Sequence, residues 1–563
     1  MAIDIKKAKY GECADYVKTC YRSSLEFQRP LFIKFNEYYR IYRAIRDDGK
    51  QNYAGRAKLF IPYVFSIIET IIPRLVGNKI KIEAVPREPN DLQNAKSQSA
   101  LLDYEWDKMN MRAVLKSWIR QSLLYGYGIL KLGWQEDTPK VELLDLFDFF
   151  YDPDGTTIEN CRYTIHRSER TLDELKKNPN YNIPKTLDYK VAEDEYKVQR
   201  DAVLGLTKPK DKDVKKVEIL EYWGLYDLGN GEQECLLVIA NQDTLIRAEV
   251  NPYKHLKKPF IKLIDVEDVT SFAGIGEVEQ LASLQYELND IRNQRMDNVT
   301  LILNRMWKVL KGAVDEEDLV SQAGNVIHCE DMNALEALET PDVTGSSYNE
   351  ETLVKSDIQL VSGVNDYTRG SGEGQGKGQV GMKQNTATGI MLLQEASASR
   401  FKYKLDNLED SLKEFGEQLI ALNQQFMDRA TKIRIVGDGL SRWVDMEPDN
   451  LLGKFDIKID AASDQPMNKS VRRAEARELL QAVVPFAQLG LDIKYFIKYL
   501  LETYDLTDID KAFPQEQITS VPGVPAMGGQ TTGSVGTDAI AGLGVTTNAK
   551  PTAQRTPYPN LGQ

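Results

Sequence analysis

The first periodic signal along the chain is helical. From Tyr10 to about Arg46 apolar positions recur at helical spacing, with Phe35, Tyr38, Tyr39 and Tyr42 on one broad face, and Gly49 and Gly55 close the run. A second apolar helix is predicted in FIPYVFSIIETIIPRLVG, followed by a short extended run, KIKIEAVP, and a pair of helices between Leu92 and Leu124. YGYGILKLGW reads as a strand approached through glycines. Between Val141 and Asp265 the pattern shortens into β-rich runs: VELLDLFDFFYDP, CRYTIHRS, VEILEYWGLYD, CLLVIA, TLIRAEV and FIKLIDV, with Asn230-Gly231 as a hairpin turn. The lysine-rich KPKDKDVKK at 208–216 interrupts them as a solvated loop.

After Phe272-Ala-Gly-Ile-Gly276 a long helix is predicted to run to about Trp307, about 45 Å at 1.5 Å per residue. Leu281, Leu284, Leu288 and Ile291 form its apolar seam, while Gln285, Asn289 and Asn293 form a polar stripe expected to stay wet or to meet a neighbour. An acidic insertion separates it from a helix at about Glu350 to Tyr367, and Arg369 to Asn385 is glycine-rich and expected to be a mobile loop. Then Leu405, Leu408, Leu412, Phe415, Leu419, Leu422 and Phe426 repeat at three and four residues, as in a core helix or a seam between subunits. Strands TKIRIVG and KFDIKID follow, then a helical region from Ser470 to about Asp510, bent at Pro485. From Pro514 a Pro/Gly/Thr tail is expected to be disordered.

A length of 563 residues with 42% hydrophobic content exceeds what one core holds, about 250–300 residues, so several packed modules are expected, α+β and mainly helical. The net charge of -13 argues against a broad basic face that grips nucleic acid, yet suits a conduit past which a polyanion must slide. Cys13, Cys20, Cys161, Cys235 and Cys329 are scattered and odd in number, which points to a reducing cytosol rather than a disulfide framework. No secretory signal is read at the N-terminus. The longest apolar stretch, Leu59 to Val76, carries Pro62, Glu69 and Pro73 and so reads as a buried helix, not a membrane span.

Catalytic chemistry finds little footing. His166, His255 and His328 have no metal-ligand pattern around them. Gly376-Lys377 superficially suggests a phosphate cradle, but Ser371 and Gly378 stand where a Walker A motif needs glycine and a hydroxyl. Asp152-Pro-Asp154-Gly155 reads as a tight turn rather than a calcium loop, because Thr156 and Thr157 replace the required ligand and glycine. No cofactor and no metal is expected.

FAGIGEVEQLASLQYELNDIRNQRMDN and NTATGIMLLQEASASRFKYKLDNLEDSLKEF, in that order, resemble the portal protein family of tailed bacteriophages. RAKLFIPYVFSIIETIIPRLVGN and the FFYDP strand end are similar to it as well. The resemblance implies a portal-like fold: residues 1–272 as wing, 273–307 and 346–368 as stem helices, 308–345 as clip and 369–385 as tunnel loop. Residues 386–469 would be the long helix and further wing strands, 470–513 the crown, and 514–563 a tail outside the shared pattern. It further implies a homododecameric ring at one capsid vertex of the virion, made in the host bacterial cytoplasm, through which double-stranded DNA is packaged and ejected. The implied partners are the terminase large subunit, head-completion or tail adaptor proteins, and the major capsid or scaffolding protein, without a membrane.

On that reading Lys377, Lys383, Gln375 and Gln379 face DNA from the tunnel loop, and Asp315, Glu316, Glu317 and Asp318 dock motor and adaptors from the clip. Two alternatives stay open: a nuclease-like enzyme of the packaging apparatus, and a non-channel coiled-coil structural protein of the virion.

Overall fold

The computed structural model describes residues 7–46, 56–76, 80–206 apart from 136, 186 and 188–194, and 216–364 apart from 305, 320–325, 332, 340, 342 and 343. Beyond these it describes 387–427, 431–460 apart from 438, 439 and 447–450, and then 469–483, 496–497 and 500–501. The fold is α+β. Helix α1 (Lys7–Tyr42) carries the aromatic stripe that makes it a core element. Phe32 and Phe35 are buried and meet Phe147 and Tyr125 at ring-centroid distances of 5.2 and 4.7 Å, and Tyr21 meets Phe150 edge-on at 4.8 Å. Helix α2 (Tyr63–Val76) buries Ile67, Ile68, Ile71 and Ile72, so the longest apolar stretch is consumed in the core. Strand β1 (Lys81–Pro86) and the helices α3 (Leu92–Lys108) and α4 (Met111–Tyr125) follow.

The β-rich region makes two antiparallel sheets. Its members are β2 (Tyr127–Gln135), β3 (Thr138–Leu143), β4 (Phe149–Tyr151), β5 (Tyr163–Thr171), β6 (Lys216–Asp227), β7 (Glu232–Ala240), β8 (Thr244–Val250) and β9 (Phe260–Ile264), with the short helices α5 (Leu172–Lys177) and α6 (Glu195–Val203) between β5 and β6. The orders are β4-β5-β6-β7-β8 and β3-β2-β9. The β6–β7 hairpin differs from the expected two-residue Asn-Gly turn. Asp227 pairs with Glu232, so four residues span the gap, and Gly229 and Gly231, at φ 116° and 95°, supply the left-handed backbone. The Asp227 carboxylate accepts from both of their N–H groups, at 2.7 and 3.0 Å. Asp152 is likewise structural: its carbonyl accepts from Gly155 at 3.1 Å and its carboxylate from Arg162 N–H at 2.9 Å.

Helix α7 (Glu277–Leu303) ends four residues short of Trp307, which instead begins β10 (Trp307–Val309). β10 pairs with β11 (Leu335–Ala337) inside the insertion, and α8 (Thr344–Ser362) starts and stops earlier than its sequence pattern suggested. α8 stops where Gly363 takes φ 68° and the Arg400 guanidinium donates to the carbonyls of Leu360 and Val361 at 2.7 and 2.6 Å. Then come α9 (Ala387–Phe426), β12 (Thr431–Gly437), β13 (Leu440–Met446), β14 (Phe455–Asp460) and α10 (Lys469–Val483). β14 returns to pair with β1, placing Lys81 opposite Asp460.

Within α9, Leu408, Leu412, Phe415, Leu419 and Leu422 are buried in the chain's own core, with Leu405 and Phe426 partly buried against it. The polar flank of α9 covers the open edge of the β3-β2-β9 sheet. Asn407 donates to the Asp265 carbonyl at 3.1 Å, Ser411 to the Lys262 carbonyl at 2.9 Å, and Gln425 to the Pro252 carbonyl at 2.7 Å.

The strand β2 and the start of α7 cross backbone against backbone. A Cβ on Gly126, which sits at φ 88°, would lie 2.0 Å from the Gly274 carbonyl oxygen, and one on Gly276 would lie 2.8 Å from the Gly126 nitrogen. His166 is buried beside Lys131 and Glu221. Burial first, and the Lys131 ammonium next, push its pKa down to about 3, so it is a neutral structural side chain.

Candidate channel hairpin and docking surface

The expectation for the α7 polar stripe is corrected by its surroundings: Gln285, Asn289 and Asn293 are buried within the chain, at 0%, 6% and 6% exposure. The segment at 57–62, which leads into α2, runs along them with no strand beside it, and Val64 stands in the first turn of α2. The amides of both donate instead to side chains: Leu59 N–H to Asn293 Oδ1 at 2.7 Å, Ile61 N–H to Asn289 Oδ1 at 3.1 Å and Val64 N–H to Gln285 Oε1 at 3.2 Å. Ala57 N–H adds a fourth rung to Asp297 Oδ1 at 2.6 Å. The side-chain amides donate back, Asn293 to the Leu59 carbonyl at 2.9 Å and Gln285 to the Ile61 carbonyl at 2.7 Å.

The geometry is commensurate. Four helical residues rise about 6 Å, and two extended residues span about 6.6 Å, so every fourth side chain of α7 meets about every second amide of the strap. The spacing of Gln285, Asn289 and Asn293 was visible in the sequence, and Asp297 extends it by one more turn. What was not visible was the unpaired backbone that would use it, since nothing in residues 57–64 marks them as a segment without a strand partner.

α7 and α8 pack side by side with the insertion joining their ends. Arg292, Arg295 and Lys355 are the Lys and Arg residues of these two helices, and all three converge on Glu351. Arg292 and Lys355 lie 3.5 and 2.6 Å from its carboxylate, Arg295 pairs with it, and the Arg295 guanidinium also stands 4.2 Å over the Tyr348 ring. Burial alone would raise the Glu351 pKa, but hydrogen bonds from Lys355 and Arg295 outweigh it and hold the carboxyl low. The exposed charged side chains left on the pair include Glu287, Asp290, Glu350 and Asp357, all acidic. Exposed apolar side chains gather here too. Twelve of the 25 large hydrophobic residues exposed among the described residues fall between Tyr286 and Val361, led by Leu360 at 71% and Leu303 at 70%.

In the insertion, Asp315 and Glu317 are exposed, and a 3₁₀ turn spans Glu316–Asp318. Asp318 bridges within the insertion: its Oδ2 accepts from His328 N–H at 3.0 Å and lies 2.6 Å from His328 Nδ1. That contact holds the Asp318 carboxyl below its usual range and ties the two sides of the insertion together. Lys377, Lys383, Gln375 and Gln379 lie outside the described residues, as do the tail and most of the region assigned to the crown beyond Val483. Among the described residues no group of His, Cys, Asp and Glu side chains could hold a metal ion, and no helix is long and apolar enough to cross a membrane.

The family described as Phage SU10 portal protein matches residues 135–517, more than two thirds of the chain. The match takes in both sheets in large part, the α7–α8 pair with its insertion, α9 and α10. The strap at 57–64 lies before it.

Asn293→Leu keeps the helix and removes both hydrogen bonds to Leu59. Leu59 is 44% exposed, so water can take up part of the loss and each stranded group costs about 1 kcal/mol, the low end for an unmade hydrogen bond. The expected result is faster amide exchange at Leu59 and its neighbours in the strap, with the β6 and β7 amides unchanged. Unaltered exchange in the strap would show that the amide rungs do not hold it.

Proposed function

We propose, from the premise that the chain belongs to the phage SU10 portal protein family, that it is one subunit of a closed, dodecameric ring at a single capsid vertex, and that double-stranded DNA passes through the axial hole. Proteins of this family are structural components of phage virions, and the roles assigned to particular elements here extend that family assignment. The α7–α8 pair forms the wall of the hole. The observation that carries this is the charge arrangement on the pair: its three cations converge on one carboxylate, Glu351, and are outnumbered by acidic side chains, of which Glu287, Asp290, Glu350 and Asp357 remain exposed.

Such a wall repels phosphates weakly instead of binding them, so a translating duplex meets no deep electrostatic minimum. The exposed apolar side chains of the same stretch, Leu303, Leu353 and Leu360 among them, are covered by the neighbouring subunit as the ring repeats one heterologous contact. Lys377 and Lys383, with Gln375 and Gln379, make transient contacts to DNA from the loop at 369–385. The insertion docks the terminase large subunit during packaging and head-completion or tail adaptor proteins afterwards, through Asp315, Glu317 and Glu316 on the turn. Contacts to the major capsid or scaffolding protein fall to the outer part of the ring.

Electron microscopy of the purified protein tests the ring. Closed annular particles with a central hole are expected, and a population of monomers alone at micromolar concentration would overturn the proposal.

Docking is tested by reversing charge at Asp315 and Glu317 to lysine, leaving Asp318 to hold His328. Binding of the terminase large subunit should weaken, most at low salt where exposed charges are least screened, while rings still form. Unchanged binding would place the contact elsewhere.

A further inference from the structure

We propose that the joint where α7 leaves the sheet holds a proton: Asp265 is kept as a neutral carboxylic acid beside a Lys404–Glu277 ion pair, and loss of that proton loosens the root of α7. The joint brings together two carboxyl groups and one ammonium. Lys404 of α9 pairs with Asp265, just past β9, and lies 2.8 Å from Glu277 Oε1 in the first turn of α7. All three side chains are buried, at 9%, 1% and 6% exposure. The second oxygens, Asp265 Oδ2 and Glu277 Oε2, have no hydrogen-bond partner.

With both carboxyls ionised the joint would bury one uncompensated negative charge and leave two oxygens without donors. One proton removes the excess charge and turns one of those oxygens into a donor. Burial decides which carboxyl takes the proton. Asp265 is the more deeply buried of the two, at 1% against 6% exposure, so its charged form is the more penalised, even though the first backbone amide of α7, from Glu277, also reaches its carboxyl.

The surroundings agree. A cavity of about 10 Å³ opens at the acid, lined by Ser122, Lys404 and apolar side chains of α2, α4, β9 and α9 such as Leu75, Ile119, Leu263 and Leu408, which is room for about one water. Lys404 and Glu277 are the charged groups that act on Asp265, and Asn407 holds its backbone carbonyl. Burial, ahead of the opposing pull of Lys404, pushes the Asp265 pKa up to about 7.

The sign of the linkage follows. Between the ordinary carboxylate pKa and about 7 the folded chain holds a proton at Asp265 that the unfolded chain has released. Stability therefore falls as pH rises through that window and stays lower above it. Glu105, buried and hydrogen-bonded by Asn423, is also pushed up to about 7 and would add its own slope, so the test uses a Glu105→Gln background.

Buried His166 and His255, both held below their ordinary pKa, add an opposing slope over the same range, so the test reads the difference between two proteins. Between pH 5 and pH 8 the Tm of the Asp265→Asn protein should rise relative to that of its parent, because the joint then carries only the Lys404–Glu277 pair. A Tm difference that does not change with pH, with the Asp265→Asn protein less stable throughout, overturns the proposal. Should Asp265→Asn not fold, infrared spectroscopy of the background protein decides. A protonated-carboxyl band at pH 6 that disappears by pH 8 is expected, and no such band at pH 6 overturns it. Neither outcome depends on ring formation or on DNA.

Discussion

The backbone of residues 57–64 has no strand to pair with, and the side chains of Gln285, Asn289, Asn293 and Asp297 take the place of one. These partly buried peptide groups gain from being paired, so the exchange ties α7 to the chain that enters α2 as a strand ties its neighbour in a sheet. The rest of the hairpin inherits its placement from that bond line. Glu277 and the glycine crossing hold the first turn, the amide rungs hold the middle, and Arg295 with Glu351 transfers the restraint to α8. α9 uses a related device at the edge formed by β9, where Asn407 and Ser411 donate to the carbonyls of Asp265 and Lys262, and at the loop before β9, where Gln425 donates to Pro252. Two helices thus use polar stripes to hold neighbouring backbone, while their apolar seams enter the core.

Much of this was legible in the sequence. The helical period of Leu405 through Phe426 reports burial because side-chain direction repeats with the element, and the unbroken apolar run CLLVIA reports a strand buried on both faces. The polar stripe of α7 was legible as a stripe but not as a buried one. A side-chain amide looks the same facing water or facing an unpaired backbone, and only the tertiary path of residues 57–64 separates the two. The end of α8 escaped for a similar reason: Gly363 is one more glycine near a glycine-rich run until Arg400, in the next helix, caps it. Asp318 looked like its acidic neighbours until His328 was found beside it. Longer-range pairings of this kind leave no periodic trace.

The charge arrangement links fold to function. A helix pair carrying Arg292, Arg295 and Lys355 could have presented a basic surface to DNA. Glu351 draws all three toward one carboxylate: Arg292 and Arg295 tie α7 to α8 through it, and Arg295 is itself buried, while Arg292 and Lys355 stay about a third exposed. The overall charge of -13 is compatible with a chain that handles a polyanion without holding it.

The most direct measurement is a cryo-electron-microscopy reconstruction of the assembled particle with side-chain detail along its axis. The account predicts that α7 and α8 line the hole with Glu287, Asp290 and Asp357 toward it, and that residues 57–64 lie behind them on the Gln285–Asn289–Asn293 stripe. A ring in which these helices sit on the outer rim, or in which the stripe is stripped of its strap and faces the hole, would contradict it.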